Sequence, residues 1–473
     1  MDAYYIFILK ELMISKKNDF AITGLLQFSP YIMFLILYIS LYYYTLHSKN
    51  IYHSQTIILS GLPLFTAFIA TIYAFFTFQE SLNIDKKIEI FFSGVADIHA
   101  IHSYFNIIFI AIFNYMLAKT NGVLTAVTLS LLYISVPSMM PTIFLLTSIF
   151  SIIIPSLSAV IIIFMPIGYG IAQSLQINPA FMAATIISGS LCGSHLSLYF
   201  KNMSLSKHVN FNIFFHKNLW FILTAAITSL IMLSQYEPMP LLTQTIHTYL
   251  QSTLNMHSYI MILPYFFLLL GNILKINFLT TLIIGSAIAF TSEIMLHKIL
   301  FLDAITTIFH GLCKESLIIN IIFFQIIIAG LTKIIECNDG FDYIIKPFQP
   351  KENKNSSNMQ GSIILISIIM NLLIIIDTLC LNFITHFIKK LTEKYAITQN
   401  NISNLVHITT TTMQVILPYA SIMMLTIHIT HNSYFEILHY MIYPLLITIL
   451  TFLSIFFSNS DKEFIYLNHR IIK

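Results

Sequence analysis

Runs of about 20 apolar residues recur along this chain from one end to the other, and that recurrence constrains the fold more than any other feature. About 20 residues of helix cross roughly 30 Å of hydrocarbon. Of the 473 residues, 57% are apolar and 9% are charged, against about a quarter charged in a soluble domain. The expectation is an all-α, polytopic integral membrane protein with about 11–13 membrane segments and the lipid bilayer as its first partner.

Charge and motif content remove several functions. The net charge of +3 is small, and the lysines sit mostly in connecting loops, so no nucleic-acid partner is expected. Four cysteines, Cys192, Cys313, Cys337 and Cys380, show no CxxC spacing and read as small apolar fillers. The start of the chain lacks the basic region and small-residue cleavage site of a signal peptide. Walker A, GxSxG, HExxH and GxGxxG runs are absent, so the expectation is neither an ATP-driven pump nor an enzyme, and no cofactor. His99 and His102 beside Asp97, and His428 with His431, form two HxxH pairs, too few for a membrane iron hydroxylase or desaturase; they read as interfacial histidines. The 25 Tyr and 40 Phe against one Trp suit lipid-facing and interfacial positions.

Taken in order, residues 1–90 hold an interfacial helix, over about 1–25, and two spans at about 28–46 and 56–78. The loop after them carries Lys86 and Lys87; because basic loops favour the cytoplasm, this loop and the N-terminus are placed inside. Residues 91–235 form a first transporter repeat, 236–300 a linking loop and helices, 301–458 a second repeat and 459–473 a polar tail. The repeats are suggested by ordered landmarks. Phe92 opens F-S-G, then N-I-I-F at Asn106, Lys119 and Gly122; Phe309 opens F-H-G, then N-I-I-F at Asn320, Lys333 and Gly340. Duplicated halves with broken helices are a signature of secondary transporters, whose site lies near the midplane between the repeats.

The stretch from Thr147 to Met203 is where the apolar pattern is most disturbed. Pro155-Ser156-Leu157-Ser158 interrupts one membrane-length run, and Ser188-Gly189-Ser190 with Gly193-Ser194-His195 punctuates the next. Irregular backbone at membrane depth is tolerated where it is buried in protein or lines a watery cavity, so these residues point to a pathway. Further polar interruptions are Asp377 within 361–388 and Thr409, Thr410, Thr411, Thr412 and Gln414 within 404–430.

T-S-I-F-S near Thr147, I-N-P-A-F-M-A-A-T-I-I-S-G-S-L-C-G-S-H-L-S from Ile177, G-L-T-K-I-I-E-C-N-D-G from Gly330, N-L-L-I-I-I-D from Asn371 and I-L-P-Y from Ile416 resemble NhaC-type sodium/proton antiporters, over about residues 90–460. The resemblance implies two inverted repeats with broken helices, Na⁺ and protons as substrates, and a bacterial cytoplasmic membrane. It also implies an ion path near Asn371 and Asp377 and near Ser194, His195 and Ser197. Two family acids are missing here: the Gly-Asp and Ser-Pro-x-Ser-Asp-Thr-Thr-like runs are replaced by Gly193-Ser194 and by Ser197 to Met203, with Lys201 at one acidic position. Where the family has a Glu-Asp-Ser-Gly-Thr-like run, this chain has His407 to Thr411.

Asp377 is the leading candidate, since an acid inside an apolar run costs about 2.5–3.5 kcal/mol on insertion scales and normally faces an interior path or partner. A carboxylate that binds either Na⁺ or H⁺ performs antiport by competition. Hydroxyls at Ser194, Ser197, Ser156, Ser158 and Thr409 to Thr412 can coordinate Na⁺, and His195 can carry a proton. Each also has a plainer reading: small residues and Ser/Thr pack membrane helices, and a proline kinks a helix without binding anything. An organic-acid exchanger, with His195 or Lys201 pairing with the anion, and a non-transporting scaffold are the alternatives. A homodimer is left open.

Overall fold

The computed structural model describes residues 28–45, 47, 55–77, 83–205, 213–235, 259–297, 306, 316–338, 340–341, 356–374, 376, 379–381, 383–384 and 399–457. The proposed interfacial helix, the linking loop around residues 236–257 and Asp377 lie outside the described residues. The helices are α1 (Phe28–Thr45), α2 (Gln55–Thr77), α3 (Ile84–Val95), α4 (Ile98–Lys119), α5 (Gly122–Tyr133) and α6 (Met139–Ile153). Next come α7 (Leu157–Ser174), α8 (Pro179–Leu205), α9 (Ile213–Ser234), α10 (Leu263–Ile273), α11 (Phe278–His297) and α12 (Ser316–Cys337). The chain continues with α13 (Ser356–Leu373), α14 (Gln399–Ile416), α15 (Ser421–Thr430), α16 (Tyr434–His439) and α17 (Ile442–Phe457). No strand occurs among the described residues.

Six stretches are long and apolar enough to cross a membrane: Phe28–Thr45, Ile98–Lys119, Val136–Ile153, Leu157–Ser174, Leu317–Cys337 and Asn404–Thr430. Shorter apolar helices accompany them. Large apolar side chains such as Phe65, Phe76, Ile149 and Phe266 stand exposed on the protein surface. In water such a surface would drive aggregation, whereas hydrocarbon solvates it. The protein is an all-α polytopic membrane protein.

The chain packs as two compact units. The first is Met1–Ile101 with Asn320–Lys354, and the second is His102–Ile319 with Asn355–Lys473. In the first, Phe34 of α1 packs on Phe324 of α12 with ring centroids 6.0 Å apart, and the hydroxyls of Tyr31 and Thr332 share a 2.6 Å hydrogen bond. Gly94 lets α3 approach α12 closely, because a Cβ there would meet the Ala329 carbonyl and Lys333. Lys87 buries its stem and donates from Nζ to the Phe75 carbonyl, 2.8 Å away in the last turn of α2. The two N-I-I-F copies fall in α4 and α12, helices of 22 residues each.

In the second unit, α7 and α8 form a hairpin whose turn is written in Leu175-Gln176-Ile177-Asn178. Gln176 adopts a left-handed φ of 52°, the Ile177 N–H returns to the Ala172 carbonyl at 2.9 Å, and Asn178 Oδ1 caps α8 by accepting from the Ala180 N–H at 2.9 Å. The α10–α11 hairpin repeats the device in Leu274-Lys275-Ile276-Asn277. Lys275 has a φ of 60°, and the Ile276 N–H bonds the Gly271 carbonyl at 2.9 Å.

The disturbed stretch resolves in two ways. At Pro155 the chain turns. Thr185 of α8 meets Met140 of α6, Gly189 meets Phe144 and Thr147, and Gly193 meets Ser148 and Ser151, so α6 runs parallel to α8. Since α7 is antiparallel to α8, α6 and α7 are antiparallel neighbours joined by Ile154, Pro155 and Ser156, and Phe150 faces Phe164 across them at 4.7 Å. The second interruption is no interruption: α8 continues through Ser188 to His195. Gly189 and Gly193, spaced GxxxG, open a groove into which α6 fits, with no room for a Cβ at either position.

Candidate functional site

Three prolines or helix ends in the second unit release backbone carbonyls, and their fates differ. Pro166 inside α7 brings no N–H to the Ile162 carbonyl; Asn114 of α4 replaces it, donating from Nδ2 at 2.8 Å. α13 ends at Leu373, and the Leu372 carbonyl accepts from the Tyr419 hydroxyl at 2.8 Å. The span Asn404–Thr430 is broken at Leu417-Pro418-Tyr419-Ala420, between α14 and α15. The Ile416 carbonyl there accepts from the Tyr434 hydroxyl at 2.8 Å. Pro418, however, leaves the Gln414 carbonyl without its usual donor, and among the described residues nothing replaces it. Tyr419 thus ties a break in one helix to the end of another.

The threonine run lies wholly within α14, and the interruption falls after it rather than in it. Thr409, Thr411 and Thr412 donate to the Leu405, His407 and Ile408 carbonyls at 2.6–2.8 Å, as buried helical threonines commonly do. Thr410, fully buried, instead reaches α13, where its hydroxyl accepts from Asn371 Nδ2 at 3.2 Å. Asn371 Nδ2 also donates to the Ser367 carbonyl at 2.7 Å. Its amide nitrogen is therefore committed twice, and Oδ1, buried in a residue 1% exposed, has no hydrogen-bond partner. One helical turn beyond Thr410 and on the same face, Gln414 is 3% exposed, with neither Oε1 nor Nε2 hydrogen-bonded. A buried polar group left unpaired costs about 1–3 kcal/mol, and none of the described residues pairs with these atoms.

His195 stands apart from that layer. Its imidazole is fully buried, with Nδ1 2.9 Å from the Tyr443 hydroxyl and Nε2 3.0 Å from the Thr411 hydroxyl. The Thr411 proton is directed at the His407 carbonyl, so the Thr411 oxygen receives Nε2–H, and Nδ1 in turn accepts from Tyr443. Cys192, one turn before, is buried beside it in α8. The histidine pins α8 to α14 and α17 and has both nitrogens occupied.

The other sequence candidates take local roles. Ser156 caps α7, accepting from the Ala159 N–H at 3.3 Å, and its hydroxyl lies 3.1 Å from that of Ser158. Ser197 donates back to the Ser194 carbonyl at 2.8 Å, and Ser194 is buried in α8. The hydroxyls of Ser151, Ser188 and Ser190 are buried without a hydrogen-bond partner. Asp377 lies outside the described residues. Sequence reasoning missed Asn114, Tyr419, Tyr434 and Tyr443. A proline announces which carbonyl it orphans, and nothing local in sequence announces which distant side chain will satisfy it.

The described residues thus define a polytopic helical membrane protein with an unsatisfied polar layer beside two helix interruptions. No protein-family model matches the chain, and no curated protein matches it.

Proposed function

We propose that the protein is a secondary active transporter, and within that class a Na⁺/H⁺ antiporter in which Na⁺ and H⁺ compete for the Asp377 carboxylate. The observation that supports transport is the pairing of two helix interruptions, the end of α13 and the α14–α15 break, next to the unpaired Asn371 Oδ1 and the unpaired amide of Gln414. Carriers commonly build sites from such discontinuous helices, because released carbonyls and side-chain dipoles replace the hydration shell of an ion. Antiport is supported by the acid retained four residues after Leu373 in sequence and by the resemblance of residues 90–460 to NhaC-type antiporters. The unpaired Nε2 of Gln414 is a hydrogen-bond donor, which suits the carboxylate of an organic acid as an alternative substrate.

The test is pH-gradient dequenching in everted membrane vesicles, with Na⁺, Li⁺, K⁺ and malate added in turn. Cation-dependent proton movement by the wild type, abolished in Asp377→Asn, is the expected result. A well-expressed wild type that responds only to malate would shift the reading to organic-acid exchange. One that responds to nothing would end the transport reading.

A further inference from the structure

We propose that Asn371, Thr410 and Gln414 form a binding site for a dehydrated monovalent cation of the Na⁺ type, held by neutral oxygens. The proposal rests on the transport reading for its purpose and on the packing of α13 against α14 for its geometry.

Asn371 Oδ1 is a fixed acceptor, since Nδ2 on the same amide is held by the Ser367 carbonyl and the Thr410 hydroxyl. The Thr410 oxygen faces Asn371 on α13, whereas the hydroxyls of Thr409, Thr411 and Thr412 donate to carbonyls of their own helix. Gln414 contributes two oxygens: the unpaired Oε1, one turn from Thr410 on the same face, and the main-chain carbonyl orphaned by Pro418. These oxygens belong to residues between 0% and 3% exposed. Amide, hydroxyl and carbonyl oxygens carry partial charge only. They match a singly charged ion that sheds its water readily; divalent Ca²⁺ and Mg²⁺ sites rely on carboxylates. These ligands are uncharged, so cation binding by them does not require an ionised carboxylate.

The experiment is equilibrium binding of ²²Na⁺ to the purified full-length chain in detergent, with choline as the balancing salt and Li⁺, K⁺ and Ca²⁺ as competitors. Saturable Na⁺ binding is expected, displaced by Li⁺ and not by Ca²⁺. Gln414→Leu and Asn371→Leu are each expected to weaken it by about 10–100-fold. Thr412→Val, which removes a hydroxyl tied to the Ile408 carbonyl, is expected to bind as the wild type does. Gln414→Leu removes an unpaired amide and keeps its approximate volume, so its melting temperature in choline is expected to equal or exceed the wild-type value. A folded Gln414→Leu chain with wild-type Na⁺ affinity would overturn the site, as would a wild type that binds no Na⁺ while Gln414→Leu melts higher, the signature of ordered water alone. The two readings separate cleanly. Na⁺ binding through Gln414 with no Na⁺-dependent proton movement would keep the site and remove antiport. Antiport unchanged in Gln414→Leu would do the reverse.

Discussion

At the scale of single residues, identical side chains carry different work. Thr409 to Thr412 are indistinguishable in sequence, yet three return their hydroxyls to α14 and Thr410 alone engages Asn371. A helix turns about 100° per residue, so neighbours in a run face different surroundings, and only packing says which surroundings those are. His195 makes the same point. Its place in a polar run suggested a proton carrier, and its two cross-helix hydrogen bonds make it a strut. Replacing it with alanine removes the hydrogen bonds to Tyr443 and Thr411 and leaves a cavity. His195→Ala is therefore expected to destabilise the chain by about 2–4 kcal/mol, read as a lower melting temperature in detergent; a variant melting with the wild type would contradict the assignment.

At the scale of elements, glycine and proline set the architecture. A side chain at Gly193 would collide with the Ser148 carbonyl on α6, and one at Gly189 with Thr147 and the Phe144 carbonyl. Neither backbone can yield without moving the helix, so Gly193→Val is expected to cost at least about 1–3 kcal/mol, seen as loss of the monodisperse folded fraction on size exclusion. Pro418 acts in the opposite sense, holding α14 and α15 apart. Pro418→Ala restores an N–H that can close on the Gln414 carbonyl. The variant is expected to be more stable, by ~1–3 kcal/mol, and slower in ion flux, because a continuous helix withdraws one proposed ligand. Equal flux in wild type and Pro418→Ala would show that the break has no part in transport. The sequence marked both disturbed regions but misjudged their form. Pro155 ends a helix and reverses the chain, whereas the glycines from Ser188 to His195 leave α8 intact, since a neighbouring helix occupies the space they leave.

At the scale of the whole molecule, the exposed apolar side chains require a hydrocarbon solvent. The chain carries one tryptophan, Trp220 in α9, 64% exposed on the protein surface. In reconstituted vesicles its fluorescence is expected to be quenched by lipids with brominated acyl chains and poorly by acrylamide in the water phase. Strong acrylamide quenching with no bromolipid effect would place that face of α9 outside the bilayer.

Span positions were legible in the sequence because each depends on a local quantity, the apolar length needed to cross a bilayer. Predicted segments at 28–46 and 56–78 overlap α1 and α2. The polar residues inside spans were equally visible, and Asn371, Thr410 and Gln414 stood among them. What the sequence left open was which of those groups remain unpaired. Hydrogen-bond satisfaction in a membrane interior is settled by partners far along the chain: Tyr443 for His195, Tyr419 for Leu372, Asn114 for Ile162. Those pairings exist only once the helices have packed, and so the tertiary structure alone decided that, among the described residues, the Gln414 amide and the Asn371 carbonyl oxygen stay unpaired.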